Sequence, residues 1–340
     1  MSGERARIAG VAVHLPERVM DNAEMRRRVA TASEGFSPPV DLVHRLTGVT
    51  RRHLMPDDAQ ASDLAVAAAG KLLAETGTDP AEVDLLLFAA ASQDMCEPAT
   101  AHIVAAKLGL SCPVLDVKNA CNSVLNAIEL GDALIAAGRY RRILVACGES
   151  PSRGIRWRVK DLAQYLASFP GYTLSDAGAA LLLVPGPAGP TDPGVLACAF
   201  TADSSAWQVG TLPAGGSAHP RDVDKTYFHI DGNKLRLAFE ALGPGLPLDL
   251  LRRLGLRWDD FAVVAVHQVS LDYLEVFRSA LDIPAEKLVV TLTEHGNVAS
   301  ASLPLQLVRA RDEGRLAPGD LVALVGLAGG VSLGMAVLRW

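Results

Sequence analysis

Residues Asp116–Gly148 read DVKNACNSVLNAIELGDALIAAGRYRRILVACG. Val114–Val117 just overlaps this stretch and has the short apolar character of a buried strand. Leu125, Ile128, Leu134 and Ile135 then recur on one face of a helix that stops near Gly138, and Arg142–Cys147 is a second strand. Cys121 stands where the first strand meets the helix. Free backbone N–H groups and the positive end of the helix favour an anion there, which predicts a lowered thiol pKa and a nucleophilic thiolate. The other reading of the same position is a small buried hydrophobe.

The 340 residues are 49% hydrophobic, enough for a large core. Net charge is −6 and mean hydropathy +0.22, which argues against a nucleic-acid binder and against disorder. Five cysteines, with neither a CxxC pair nor His/Cys metal spacing, predict a reducing cytoplasmic setting and no metal site. The N-terminus has too short an apolar run for a signal peptide, and no apolar stretch is long enough to span a membrane.

Outward from the opening stretch, the chain repeats itself. Residues 6–14 read as a strand, 62–76 as a helix capped by Ser62, and Asp84–Ala91 as a buried strand. A shift of 177 residues carries Leu85 to Ala262 in the apolar run Phe261–Val266, Cys121 to Val298, and Ile143 to Asp320 at the edge of Leu321–Gly326. Several matches at one shift predict an internal duplication. Ala177–Val184 rhymes with Leu333–Leu338 at a smaller shift, which places an insertion within 150–175. The Pro/Gly-rich stretch Pro185–Gly194 divides the chain into halves of 1–185 and 186–340. Buried strands alternating with helices predict an α/β architecture with mainly parallel strands.

Three residues then stand at element ends. Cys121 begins a helix, His267 ends a buried strand, and Asn297, after Gly296, begins the helix matching that of Cys121. If the repeat holds, a thiol, an imidazole and a carboxamide converge. Each also has a structural reading: a packed cysteine, a buried histidine with a backbone partner, a helix cap. His295 reads as loop. Gly329-Gly330 follows the last buried run and reads either as a turn or as backbone donors for an oxyanion. No dinucleotide fingerprint is present, and no cofactor is predicted.

Taken together, Thr47-Gly48-Val49, Arg51-Arg52-His53, Asp116–Cys121, Asp176-Ala177-Gly178-Ala179, Asp231-Gly232-Asn233-Lys234, His267-Gln268, His295-Gly296-Asn297 and Gly329-Gly330 give the sequence a close resemblance to the β-ketoacyl-ACP synthase III condensing enzymes of the thiolase superfamily. The resemblance implies a thiolase-like fold, two duplicated halves in an αβαβα five-layer arrangement, and a homodimer. It implies that Cys121 takes an acyl group from a thioester on an acyl carrier protein or CoA. His267 and Asn297 would hold the enolate formed when a malonyl-type thioester loses CO2. Backbone N–H groups of Cys121 and Gly329 would form the oxyanion hole, in fatty-acid priming or specialised polyketide-type biosynthesis. The pattern departs at Ser270, where the family has asparagine, at Ala328, where a third glycine is common, and at Leu42, in place of a CoA-stacking tryptophan. Pro151–Leu174 is longer than usual; its Arg153 and Arg156, with Lys234 and Arg236, are candidate contacts to a carrier or CoA. The alternatives are acyl transfer to an alcohol or amine without condensation, a Cys-His-Asn hydrolase, and an idle partner subunit.

Overall fold

The computed structural model describes residues 3–189 and 191–340. Two sheets carry the fold. The first contains β1 (Glu4–His14), β2 (Leu85–Ala89), β3 (Val114–Val117), β4 (Ile143–Glu149) and β5 (Ala177–Pro187), in the order β1-β5-β4-β2-β3. β2 runs parallel to β3 and β4, while β5 is antiparallel to β4 and β1. The second contains β6 (Gly194–Ala202), β7 (Phe261–Val266), β8 (Leu321–Ala328) and β9 (Ser332–Arg339), in the order β7-β8-β9-β6. Only β7 and β8 are parallel there. Read backwards, this is the order of the first sheet without its last strand. In place of that strand, Leu288 makes a single parallel bridge to Val264.

The helices that matter are α1 (Ala61–Thr76), α2 (Thr100–Leu108), α3 (Ser123–Ala136), α4 (Gly232–Leu242), α5 (Gly245–Leu254), α6 (Leu271–Ala280) and α7 (Ser302–Asp312). α3 and α7 lie between the sheets; α1 and α2 cover the outer face of the first, α4 and α5 that of the second. The result is the expected αβαβα stack. Both faces of each sheet are covered, so β2 and β8 read as unbroken apolar runs, β4 as one closed by Glu149, and all three are buried throughout. Two glycines let α1 lie directly on the first sheet. A Cβ on Gly148 would sit 1.8 Å from the Ala61 carbonyl oxygen, and one on Gly178 1.9 Å from that of Leu64.

The repeat is present, but not at one register. Leu85 and Phe261, Ser123 and Ser302, and Ile143 and Leu321 open equivalent elements at offsets of 176, 179 and 178. Small insertions absorb the difference, among them a bulge between Phe261 and Val263. Backbone conformation fixes the helix register: Ala120 and Ala299 both adopt a left-handed φ, of 46° and 47°. Each stands two residues before the N-cap of its helix, Asn122 or Ala301. Cys121 is therefore matched by Ser300, not by Val298. The cap of α1 is Gln60 in a box with Asp63; Ser62 lies inside the first turn.

One region is thinly packed. Between Thr201 and Leu246 only Ala238 is buried. No helix among the described residues is long and apolar enough to cross a membrane.

Candidate active site

Cys121, His267 and Asn297 come from three separate segments and line one cavity of about 1290 Å³. Gly329, Glu149, Arg153 and Arg236 line it too. Of the other candidate carrier contacts, Lys234 pairs with Asp231 at 3.4 Å, and the Arg156 guanidinium lies 3.9 Å over the Tyr227 ring. Neither belongs to the cavity wall as described. Phe169, Leu174, Leu212, Phe228 and Ile230 make much of one side apolar. Tyr165 and Tyr172, from the long Pro151–Leu174 segment, stack behind Phe169 with ring centroids 4.8 Å apart.

The turn at Cys121 is braced from both sides. Ser123 Oγ donates to the Ala120 carbonyl and accepts from the Asn119 N–H, which holds Ala120 in its strained conformation. The buried Asn122 side chain donates to Ser332 Oγ at 2.9 Å, tying the turn to the hairpin that carries Gly329. Gly326 makes room for it: a Cβ there would lie 2.0 Å from Asn122 Oδ1. Val124 N–H donates to Ser300 Oγ at 3.0 Å, tying the same turn to the Asn297 segment.

His267 is buried, and its N–H donates to Val325 O of β8 at 2.9 Å. Gln306, buried on α7, clamps the preceding residue by accepting from Val266 N–H and donating to Val266 O. Gln268 accepts from the N–H groups of Thr291 and Leu292 at 3.0 Å each, fixing the chain that leads to Asn297. Asn297 Oδ1 accepts from Ala299 N–H at 3.0 Å, which turns the amide NH2 away from that bond. The backbone of Asn297 is held by Thr173 and Ser175. His295 closes a short helix instead of lying in a loop, and its Nδ1 is 3.0 Å from His53 Nε2.

Electrostatics corrects one expectation. Burial, with the Glu149 carboxylate beside it, pushes the Cys121 thiol up to about 12. The helix end does not leave a resting thiolate. Burial alone lowers His267 to about 4, so its imidazole is neutral at pH 7, with Nδ1 buried and unpartnered. A neutral thiol therefore shares the cavity with a neutral base.

Sequence reading passed over Glu149, Ser300 and Gln306. Only Glu149 left a signal: a charge closing the otherwise apolar run ILVACG at the level of the Cys121 turn.

Residues 115–204 match the 3-oxoacyl-[acyl-carrier-protein] synthase III family, and residues 251–340 its C-terminal counterpart. The β-ketoacyl-[acyl-carrier-protein] synthase III of Bordetella petrii is 31% identical over 98% of this chain and 97% of its own. The chain belongs to the synthase III family. Synthase III 3 of Streptomyces coelicolor is 32% identical over 98% of this chain and 96% of its own. Among solved structures, FabH of Xanthomonas oryzae superposes with a TM-score of 0.87 at 26% identity, over 99% of both chains. Cerulenin-bound OleA of Xanthomonas campestris gives 0.88 at 25%, over 99% of this chain and 97% of that one. Synthase III membership makes this protein an acyl-thioester condensing enzyme.

Proposed function

We propose that the enzyme loads an acyl group onto Cys121 and condenses it with a malonyl-type thioester, releasing CO2. The convergence of Cys121, His267 and Asn297 on one cavity carries this reading. Cys121 sulfur attacks the donor thioester while its proton passes to the neutral His267 imidazole and on to the departing thiol. The malonyl group then loses CO2, and the enolate oxygen is held by N–H donors of His267 and Asn297. Its carbon attacks the acyl carbonyl on Cys121, with backbone N–H groups of Cys121 and Gly329 facing the oxyanion. The C–S bond breaks, the β-ketoacyl product leaves, and the released Cys121 sulfur takes a new proton from water, since its first proton left with the donor thiol.

Two donors for one enolate favour condensation over plain acyl transfer to an alcohol or amine. Arg153 and Arg236, at the cavity, suit an acidic carrier protein or the phosphates of CoA, while Arg156 and Lys234, off the cavity wall, are the weaker candidates. The halves 1–185 and 186–340 are each centred on one sheet, with β5 running two residues past the boundary to Pro187, the first half carrying the thiol and the second the imidazole and carboxamide. β3 leaves an open sheet edge with Leu115 exposed, which suits a homodimer. The five free thiols suit a reducing cytoplasm.

The test is to incubate the enzyme with acyl and malonyl thioesters and follow CO2, product and intact mass. CO2 with a β-ketoacyl product, lost in Cys121→Ala, is expected. Acylated Cys121 without CO2 would point to plain acyl transfer, and free acid alone to hydrolysis.

A further inference from the structure

Glu149 closes β4 at the floor of the cavity, and its side chain is wholly buried. Its carboxyl takes four donors. Oε1 accepts from Ala91 N–H at 2.8 Å and Ser300 N–H at 3.2 Å; Oε2 accepts from Ser92 N–H at 3.1 Å and Ser92 Oγ at 2.9 Å. No lysine or arginine pairs with it among the described residues. Three of the four donors are backbone N–H groups, which can only donate, so the arrangement suits a carboxylate. A buried anion without a cation is costly, and structures keep one where it has work to do.

The donors belong to separate parts of the site. Ala91 and Ser92 follow β2. Ser300 lies three residues beyond Asn297, and its hydroxyl accepts the Val124 N–H of the Cys121 helix. Glu149 is therefore one bond from the Asn297 segment and two from the helix that presents Cys121. Resting on Cys121 as the acylated thiol, we propose that Glu149 is a positioning residue. Its carboxylate clamps the Cys121 turn and the Asn297 turn to a common anchor, so that acyl group and enolate meet in register.

The same charge opposes ionisation of the thiol. The titratable groups facing Glu149 are Cys121 and, on its own strand, Cys147; the β2 end and the Asn297 segment offer it only uncharged donors. Burial keeps Cys121 a thiol and the Glu149 charge adds to that effect, until a substrate is in place and His267 can take the proton.

Two variants test this. Glu149→Gln removes the charge and turns one acceptor into a donor facing Ser92 N–H. Ser92→Ala removes the hydroxyl donor, and with it the acceptor of the Ser150 N–H, and leaves Glu149 in place. The first readout is the pH profile of Cys121 alkylation by iodoacetamide, a measurement independent of condensation. Glu149→Gln should move that profile to lower pH by about one unit, whereas Ser92→Ala, which keeps the charge and loosens only its clamp, should not move it to lower pH. The second readout is CO2 release from a malonyl thioester, which should fall about 10-fold or more in Glu149→Gln as the Asn297 turn loosens. An unmoved alkylation profile in a Glu149→Gln variant that folds as the parent does would overturn the proposal. Should Glu149→Gln not fold, CO2 release in Ser92→Ala decides: a fall is expected as the clamp loosens, and an unchanged rate overturns the proposal. A parent enzyme that releases no CO2 would refute the condensing reading instead, while the alkylation result stands.

Discussion

Cys121 and His267 are both driven toward neutrality by burial. With the thiol near 12 and the imidazole near 4, neither carries charge at pH 7. On the proposed route, acylation moves a proton from sulfur to imidazole as the new bond forms. His267→Ala should slow single-turnover acylation roughly 10²–10⁴-fold, and acylation of the parent should collapse only as pH falls toward 4. Rapid-quench mass spectrometry across pH 4–9 reads both. Asn297→Ala should leave acylation nearly intact and lower CO2 release about 10²–10³-fold, the usual effect of one lost oxyanion donor. A parallel loss in both steps would remove the distinction between the two residues. The three residues of the proposed chemistry were singled out in the sequence because His267 ends an apolar run and Cys121 and Asn297 follow shortly after an element stops. The state of the thiol was not, because it depends on Glu149 and on walls contributed by segments far away in the chain.

The strands declared themselves as apolar runs, and the helices by their period. Register did not, since small insertions of one to three residues leave the pattern of each element intact while moving its partner. Only the left-handed residues Ala120 and Ala299 show that Cys121 answers to Ser300. The contact of His53 with His295, two residues before Asn297 but far from it in pairing, has no sequence signature either. The closeness of α1 to β4 and β5 is a property of the elements, set by two missing side chains. Gly148→Ala or Gly178→Ala would drive a methyl group into a helix carbonyl and should cost about 3 kcal/mol. Thermal or urea unfolding measures it; Gly70→Ala, on α1 with open space around it, should be neutral or slightly stabilising by the same measurement.

Across the whole molecule, buried titrations set the response to acid. His267 and His295 are lowered from 6.5 to about 4, so between those values the unfolded chain binds more protons and stability falls as pH falls. Glu149, raised from 4.5 to about 7, acts with the opposite sign, since the folded chain keeps the proton there. Two histidines outweigh one carboxyl, so Tm should drop from pH 6.5 to 4.5, and more steeply in Glu149→Gln. A flat Tm over that range would contradict the burial of these groups. The sheets and central helices are densely buried, but the cavity lining is not uniformly so. Gly210–Leu212, Phe228–Asn233 and Phe239 come from the stretch in which Ala238 alone is buried. Backbone amides of that stretch should exchange with deuterium long before those of β4 or β8, and proteases should cut there first. Local opening of this wall costs little, so a bulky acyl group can reach the sulfur without disturbing the sheets that hold it in place.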